Sequence, residues 1–207
     1  MAALLAGCGL LGGNKYRFRM TVEVDTPQGL RSGSSVYEVS AWNSPKILPD
    51  ERARDWRIRG EALTISLPDG PVFVLLKTNN RYRSDFAAMS MGTLDPDFEN
   101  DVVESAGRIA GSWSTRRGEV PRKDYPLMVR FRDINDPRSV ERVDPAAIGV
   151  KRIVLETTSD EVTTGIEKRL GWLRNGGLTL DPSGGPTVNP TFAQTVRQNA
   201  FSSEIPQ

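Results

Sequence analysis

The chain has 207 residues, with 27 Lys+Arg against 26 Asp+Glu for a formal net charge of +1, and 38% hydrophobic against 26% charged residues. That is the composition of one globular domain, with or without a tail: too apolar for a wholly disordered chain, too polar for a polytopic membrane protein, and without a general electrostatic pull toward nucleic acid. It has no histidine and one cysteine, Cys8, which excludes Ser-His-Asp and Cys-His triads, two-His metal sites, CxxC pairs and any intrachain disulfide.

At the N-terminus, Leu5-Ala6-Gly7-Cys8 has the pattern of a lipobox, and glycines at 9, 12 and 13 make a flexible spacer behind it. Small residues ahead of the cysteine let an extended backbone enter a membrane-embedded peptidase, and the thiol is the atom that takes up diacylglycerol. On these residues the chain resembles bacterial lipoproteins. The resemblance implies a lipid attachment at Cys8, two or three acyl chains as a stable anchor, and a place in the cell envelope. With Gly9 after the cysteine, the expected destination is the outer membrane, facing the periplasm. Only seven residues precede Cys8 and none is basic, so a working signal is expected to extend upstream of Met1. If Met1 is the true start, the expectation becomes a soluble cytoplasmic module. Residues 1–14 are accordingly read as signal remnant and spacer.

Strand signals follow. Residues 15–25 alternate with period two, Tyr16, Phe18, Met20, Val22 and Val24 on one face and Arg17, Arg19, Thr21 and Glu23 on the other. A turn at 26–29 leads into a second strand over about 30–42, with a bulge expected near Gly33. Residues 61–67 and 72–78, joined by Pro68-Asp69-Gly70-Pro71, predict a second hairpin. Residues 127–133 and 150–157 predict two more strands. Asp95-Pro96 predicts a helix start, with Phe98, Val102, Ala106 and Ile109 at helical spacing. Asp144-Pro145 opens one capped turn closed by Gly149, and Thr164 with Glu167 predicts a capping box ahead of Ile166, Leu170 and Leu173. The fold expected is α+β, mainly antiparallel sheet built from hairpins, with two or three short helices, over residues 15–173. Residues 174–207, sparse in large apolar side chains and rich in Gly, Pro, Thr and Asn, predict an extended or disordered tail with a short helix near 191–199.

Three constellations carry chemistry in principle. Asp95, Asp97, Glu99 and Asp101 have the odd spacing of a Ca²⁺ loop. Asn100 stands where the turn glycine belongs, however, and Ala106 where the bidentate acid belongs, so helix capping and dipole compensation are the expected roles. Arg52, Arg54, Arg57 and Arg59 surround Trp56, a combination that can stack on bases or sugars or bind phosphate; a solvated strand edge or loop is the expected role. Of Trp42, Trp56, Trp113 and Trp172, which could in principle form a sugar-stacking platform, at least three are expected to be in the core or partly buried. No serine sits in a nucleophile-elbow pattern.

The stretch from Asp133 to Pro145, with two Asp-Pro turns, reads as a connector. Together with the first hairpin and the ending Thr164-Gly-Ile-Glu-Lys-Arg-Leu-Gly-Trp-Leu173, it resembles an uncharacterised proteobacterial lipoprotein family, which implies an envelope address and brings no activity with it. The expected function is a non-catalytic binding or structural module, anchored to the membrane through Cys8, with an envelope protein or a polysaccharide as partner, no cofactor, no metal and no nucleic acid. The alternative class is a periplasmic hydrolase working with two carboxylates.

Overall fold

The computed structural model describes residues 13–44, 54–78, 86–183 and 189–205. They form an α+β fold, mainly β, in two antiparallel sheets with three short helices. The first sheet contains β1 (Asn14–Thr26), β2 (Gly29–Asn43), β3 (Arg54–Arg59), β6 (Arg117–Glu119) and β9 (Val150–Thr157), in the order β3-β2-β1-β9-β6. The second contains β4 (Leu63–Leu67), β5 (Gly70–Thr78), β7 (Pro126–Phe131) and β8 (Val140–Val143), in the order β4-β5-β7-β8.

The alternation in β1 sets the first core. Phe18 lies opposite Tyr37 and Tyr16 opposite Val39, and the Phe18 and Tyr37 rings stack at 5.3 Å. Gly33 does not bulge; the β1–β2 register runs through it unbroken. Its role is to let β2 cross β4 closely, since a Cβ there would lie 2.6 Å from the Thr64 carbonyl oxygen. The inner side chains of β4, β5 and β7 (Leu63, Ile65, Val72, Val74, Met128) close this core from the other side.

Two helices enter the same core. α1 (Phe86–Leu94) buries Phe86, Ala87, Met89, Met91 and Leu94, and the Phe86 ring meets Tyr37 at 5.1 Å. α2 (Val102–Ala110) is capped by Asp101, whose carboxylate accepts from the Val103 and Glu104 amides. The cap expected at Asp95 is therefore displaced by six residues. Asp95 instead follows α1, buried, with its carboxylate on Arg108 at 2.7 Å. The capping box expected at Thr164 and Glu167 is replaced by two short 3-10 turns, Ile166–Lys168 and Gly171–Asn175, entered through Gly165 at φ 107°.

The second sheet is apolar on both faces. Phe73, Leu75, Leu127 and Val129 point away from the first core into a second one, closed by Ile166, Leu170, Leu173, Leu180, Ala193, Val196 and Phe201. The chain after Leu173 was expected to be an extended or disordered tail. Residues 174–178 are exposed, but Leu180, Ala193, Val196, Ala200 and Phe201 are buried in the second core, and the segment carries α3 (Phe192–Thr195), held by a capping box between Thr191 and Gln194. Composition misled here because a few apolar residues, Leu180, Val196 and Phe201 above all, suffice to hold the segment on the second sheet. Phe201, fully buried, meets Phe73, Phe131 and Trp172 at 6.3, 5.9 and 5.6 Å. Within the described residues, no helix is long and apolar enough to cross a membrane.

Replacing Phe201 with Ala should therefore cost about 3–5 kcal/mol, the price of emptying a ring-sized core position. Arg19→Ala, on the outer face of β1 in an exposed pair with Asp160, should cost under about 1 kcal/mol. Urea midpoints of the two variants check the ranking.

Candidate functional site

A cleft of about 1230 Å³ opens between β3, the far end of β5 and the C-terminal segment. Consecutive residues of both strands line it, from Asp55 to Arg59 and from Leu75 to Thr78. Neighbours in a strand point to opposite faces, so both can line one cleft only if it runs along the strand edge. Two features leave these edges facing the cleft. β3 is the last strand of its sheet, and β4 pairs with β5 only as far as Val74. The third wall is α3 and the turn behind it, through Phe192, Val196, Arg197 and Ala200, with Ser203, Glu204 and Ile205 closing it.

The lining is aromatic and basic. Trp42 and Trp56 stand on the β2–β3 side, and Trp56 is 37% exposed. Arg57, Arg59, Lys77, Arg142 and Arg197 face the cleft against Asp55 and Glu204, a cationic excess in a chain of nearly neutral charge. Asp55 is held by the Ser44 hydroxyl, and Glu204 takes a hydrogen bond from Arg59 at 3.3 Å. The exposed Arg57, Lys77 and Arg197 have no ion-pair partner among the described residues. Such a surface suits an anionic ligand with apolar or planar parts.

The position of β3 depends on Glu38. Its carboxylate is 2% exposed on the outer face of the first sheet, with Arg17 at 2.9 Å, Lys15 at 3.3 Å and Arg59 at 3.7 Å. The register puts Arg17 of β1 and Arg59 of β3 directly on either side of it. Burial opposes its ionisation, but the Arg17 guanidinium and the Lys15 ammonium outweigh burial and hold the carboxyl below its ordinary range. Asp95 follows the same balance: burial raises its pKa, Arg108 together with Ser105 and the Asp97 backbone more than reverses that, and the net shift is downward. Glu61, also buried, accepts the Ile166 amide at 2.7 Å and the Ser202 hydroxyl at 3.4 Å. It ties the β3–β4 link to both the 3-10 turn and the C-terminal segment. A smaller, mostly apolar pocket of about 380 Å³ lies beside it, lined also by Glu167, Glu204, Leu173 and Ile205.

Cys8 and Arg52 lie outside the described residues. Arg54, Arg57 and Arg59 are on the edge strand β3, one of the two settings expected for them, with Arg54 paired to Asp101 at 3.0 Å. Of the acids between 95 and 101, Asp95 and Asp101 are engaged structurally, and the described residues hold no group of three or more metal-ligating side chains. Of the tryptophans, Trp42 and Trp172 are partly buried, Trp56 is 37% exposed beside Trp42 in the lining of the cleft, and Trp113 is fully exposed in the loop after α2. Glu38, Glu61 and the C-terminal wall were missed. The only sequence signal for Glu38 is an acid interrupting the alternation of β2 between Tyr37 and Val39.

Compared with models of known families, with curated proteins and with solved structures, the chain gives no match.

Because Glu38 and Asp95 titrate lower in the folded than in the unfolded chain, the unfolded chain binds protons first as pH falls. The stability they bring is complete above the unfolded values, roughly pH 4, and is lost as pH drops through the folded values. Glu38→Gln should cost roughly 1–2 kcal/mol near neutrality, discounted because its cations are partly exposed. It should also flatten the acid limb. Unfolding free energies between pH 7 and pH 3 check both.

Proposed function

We propose that this chain is a non-catalytic binding module of the bacterial cell envelope, held at the membrane by a lipidated Cys8, with the cleft beside β3 as its ligand site. The observation that carries the binding role is the cleft itself: Trp56, 37% exposed, with Arg57 on β3, Lys77 on β5 and Arg197 behind α3, three cations without an ion-pair partner among the described residues. The buried acids favour binding over carboxylate catalysis, since Glu38 and Asp95 are held by cations and Glu61 by an amide and a hydroxyl. The address is supported by Leu5-Ala6-Gly7-Cys8 and its glycine spacer. β1 begins at Asn14, six residues after Cys8. An extended spacer of that length spans roughly 20 Å, so the anchored domain would sit close to the bilayer, on the periplasmic face of the outer membrane. An envelope protein or polysaccharide is then the partner within reach.

A complete lipoprotein signal placed ahead of the lipobox tests the address in a Gram-negative host. The chain should then fractionate with membranes and carry an acyl mass that Cys8→Ala removes. An unmodified Cys8 thiol in a cytoplasmic product would overturn the anchor and leave the cytoplasmic module as the better reading.

A further inference from the structure

We propose that the edge of β3 left without a partner among the described residues takes up an extended acidic peptide of a partner protein, added as a further strand to the first sheet. This deepens the reading of the cleft as the ligand site and rests on it.

The structure already shows a strand-like addition on this side of the chain. Where β3 runs on into β4, the C-terminal segment pairs with it antiparallel. The Ala62 amide donates to the Phe201 carbonyl at 2.8 Å, the Ser203 amide donates to the Gly60 carbonyl at 3.1 Å, and Glu61 lies opposite Ser202. The chain then turns at Ser203 and Glu204. From Arg59 back to Arg54, β3 is the outermost strand of its sheet among the described residues, and its edge faces the cleft. A free edge offers a row of backbone donors and acceptors, and an extended peptide satisfies them by pairing.

The side chains say which peptide. Arg57 and Arg59 stand opposite Ser40 and Glu38, so they share the outer face; Trp56 and Ile58 stand opposite Ala41 and Val39, on the inner face. A strand laid against β3 alternates in the same way. Acids on its outer positions would meet the arginines, and apolar residues on its inner positions would meet Trp56 and Ile58. Glu204 already shows the first half of this match, accepting from Arg59 at 3.3 Å. Lys77 and Arg197 across the cleft add to the preference for negative charge. The same arginines disfavour a second copy of this chain, because antiparallel pairing of two β3 edges would bring arginine against arginine.

The test uses the full 207-residue chain and a fluorescein-labelled octapeptide of alternating Glu and Val, read by fluorescence anisotropy. Saturable binding is expected, with a lysine–valine octapeptide at least tenfold weaker. Arg57→Glu should weaken the acidic peptide at least tenfold and improve the lysine one. Arg57 and Trp56 are exposed, so Arg57→Glu and Trp56→Ala should melt like the parent, and unchanged melting verifies that they fold. Two N-methylated versions of the acidic peptide, methylated on alternate residues in opposite phase, separate strand addition from simple charge attraction. In a ladder only one phase points its amides at β3, so one version should lose binding and the other keep it. Equal binding by both, or indifference to Arg57→Glu, overturns the proposal. Polygalacturonate is the second probe. If it binds and Trp56→Ala abolishes that binding while the peptide stays silent, the cleft is a glycan site: the strand proposal falls and the binding-module reading stands. If neither probe binds, both fall.

Discussion

The second sheet is apolar on both faces, and most of the architecture follows from covering it. Val72, Val74 and Met128 face the first sheet, while Phe73, Leu75, Leu127 and Val129 face away. A sheet with one wet face could stop at the first core. This one must bury a second surface, and the chain after β9 is what does so. That segment has little regular structure of its own. It is held by its few large side chains, with Phe201 at the centre of a ring cluster, and by strand-like pairing at Ala62 and Gly60. Its path back to the β3–β4 link makes one wall of the cleft. The candidate site is thus a by-product of core burial, and its shape cannot vary independently of the second core.

Electrostatics fixes the opposite wall. Glu38 sits buried among Lys15, Arg17 and Arg59, drawn from β1 and β3 on either side of its own strand. A buried charge is costly to leave unpaired, so this arrangement holds β3 in register with β2 although β3 carries little apolar surface. Arg59 faces both ways, toward Glu38 in the sheet and toward Glu204 in the C-terminal segment. The guanidinium therefore joins the first sheet to the cover of the second across one end of the cleft.

Parts of this were legible in the residues. The period-two pattern of β1 and the turn after it located the first hairpin, the same alternation marked β4 and β7, and β5 and β9 read as apolar runs next to turn residues. What the sequence concealed shares a cause: the deciding contacts are distant. β3 is four charged residues around Trp56 and Ile58, and nothing local marks it as a strand; pairing to β2 makes it one. α1 carries no charged residue and its buried residues are spread around the helix, so no apolar stripe announces it. Asp95 and Asp101 are both plausible caps by local rules, and the ion pair from Asp95 to Arg108 decides between them. The C-terminal segment was misjudged because composition counts apolar residues without asking what they cover. The Trp56–arginine run was visible as a chemical oddity; its role beside a cleft depends on walls drawn from residues up to 149 positions away in the chain, at Ile205.

The central claim is that the C-terminal segment belongs to the same cooperative unit as the sheets. Native-state hydrogen exchange tests it at single residues. The amides of Ala62, Leu180 and Phe201, which donate to Phe201, Val196 and Gln198 respectively, should exchange only through global unfolding, with the same protection free energy as Phe18 and Val22 in β1. Fast exchange at those three amides while β1 stays protected would show a segment merely resting on the second sheet, and would contradict the account.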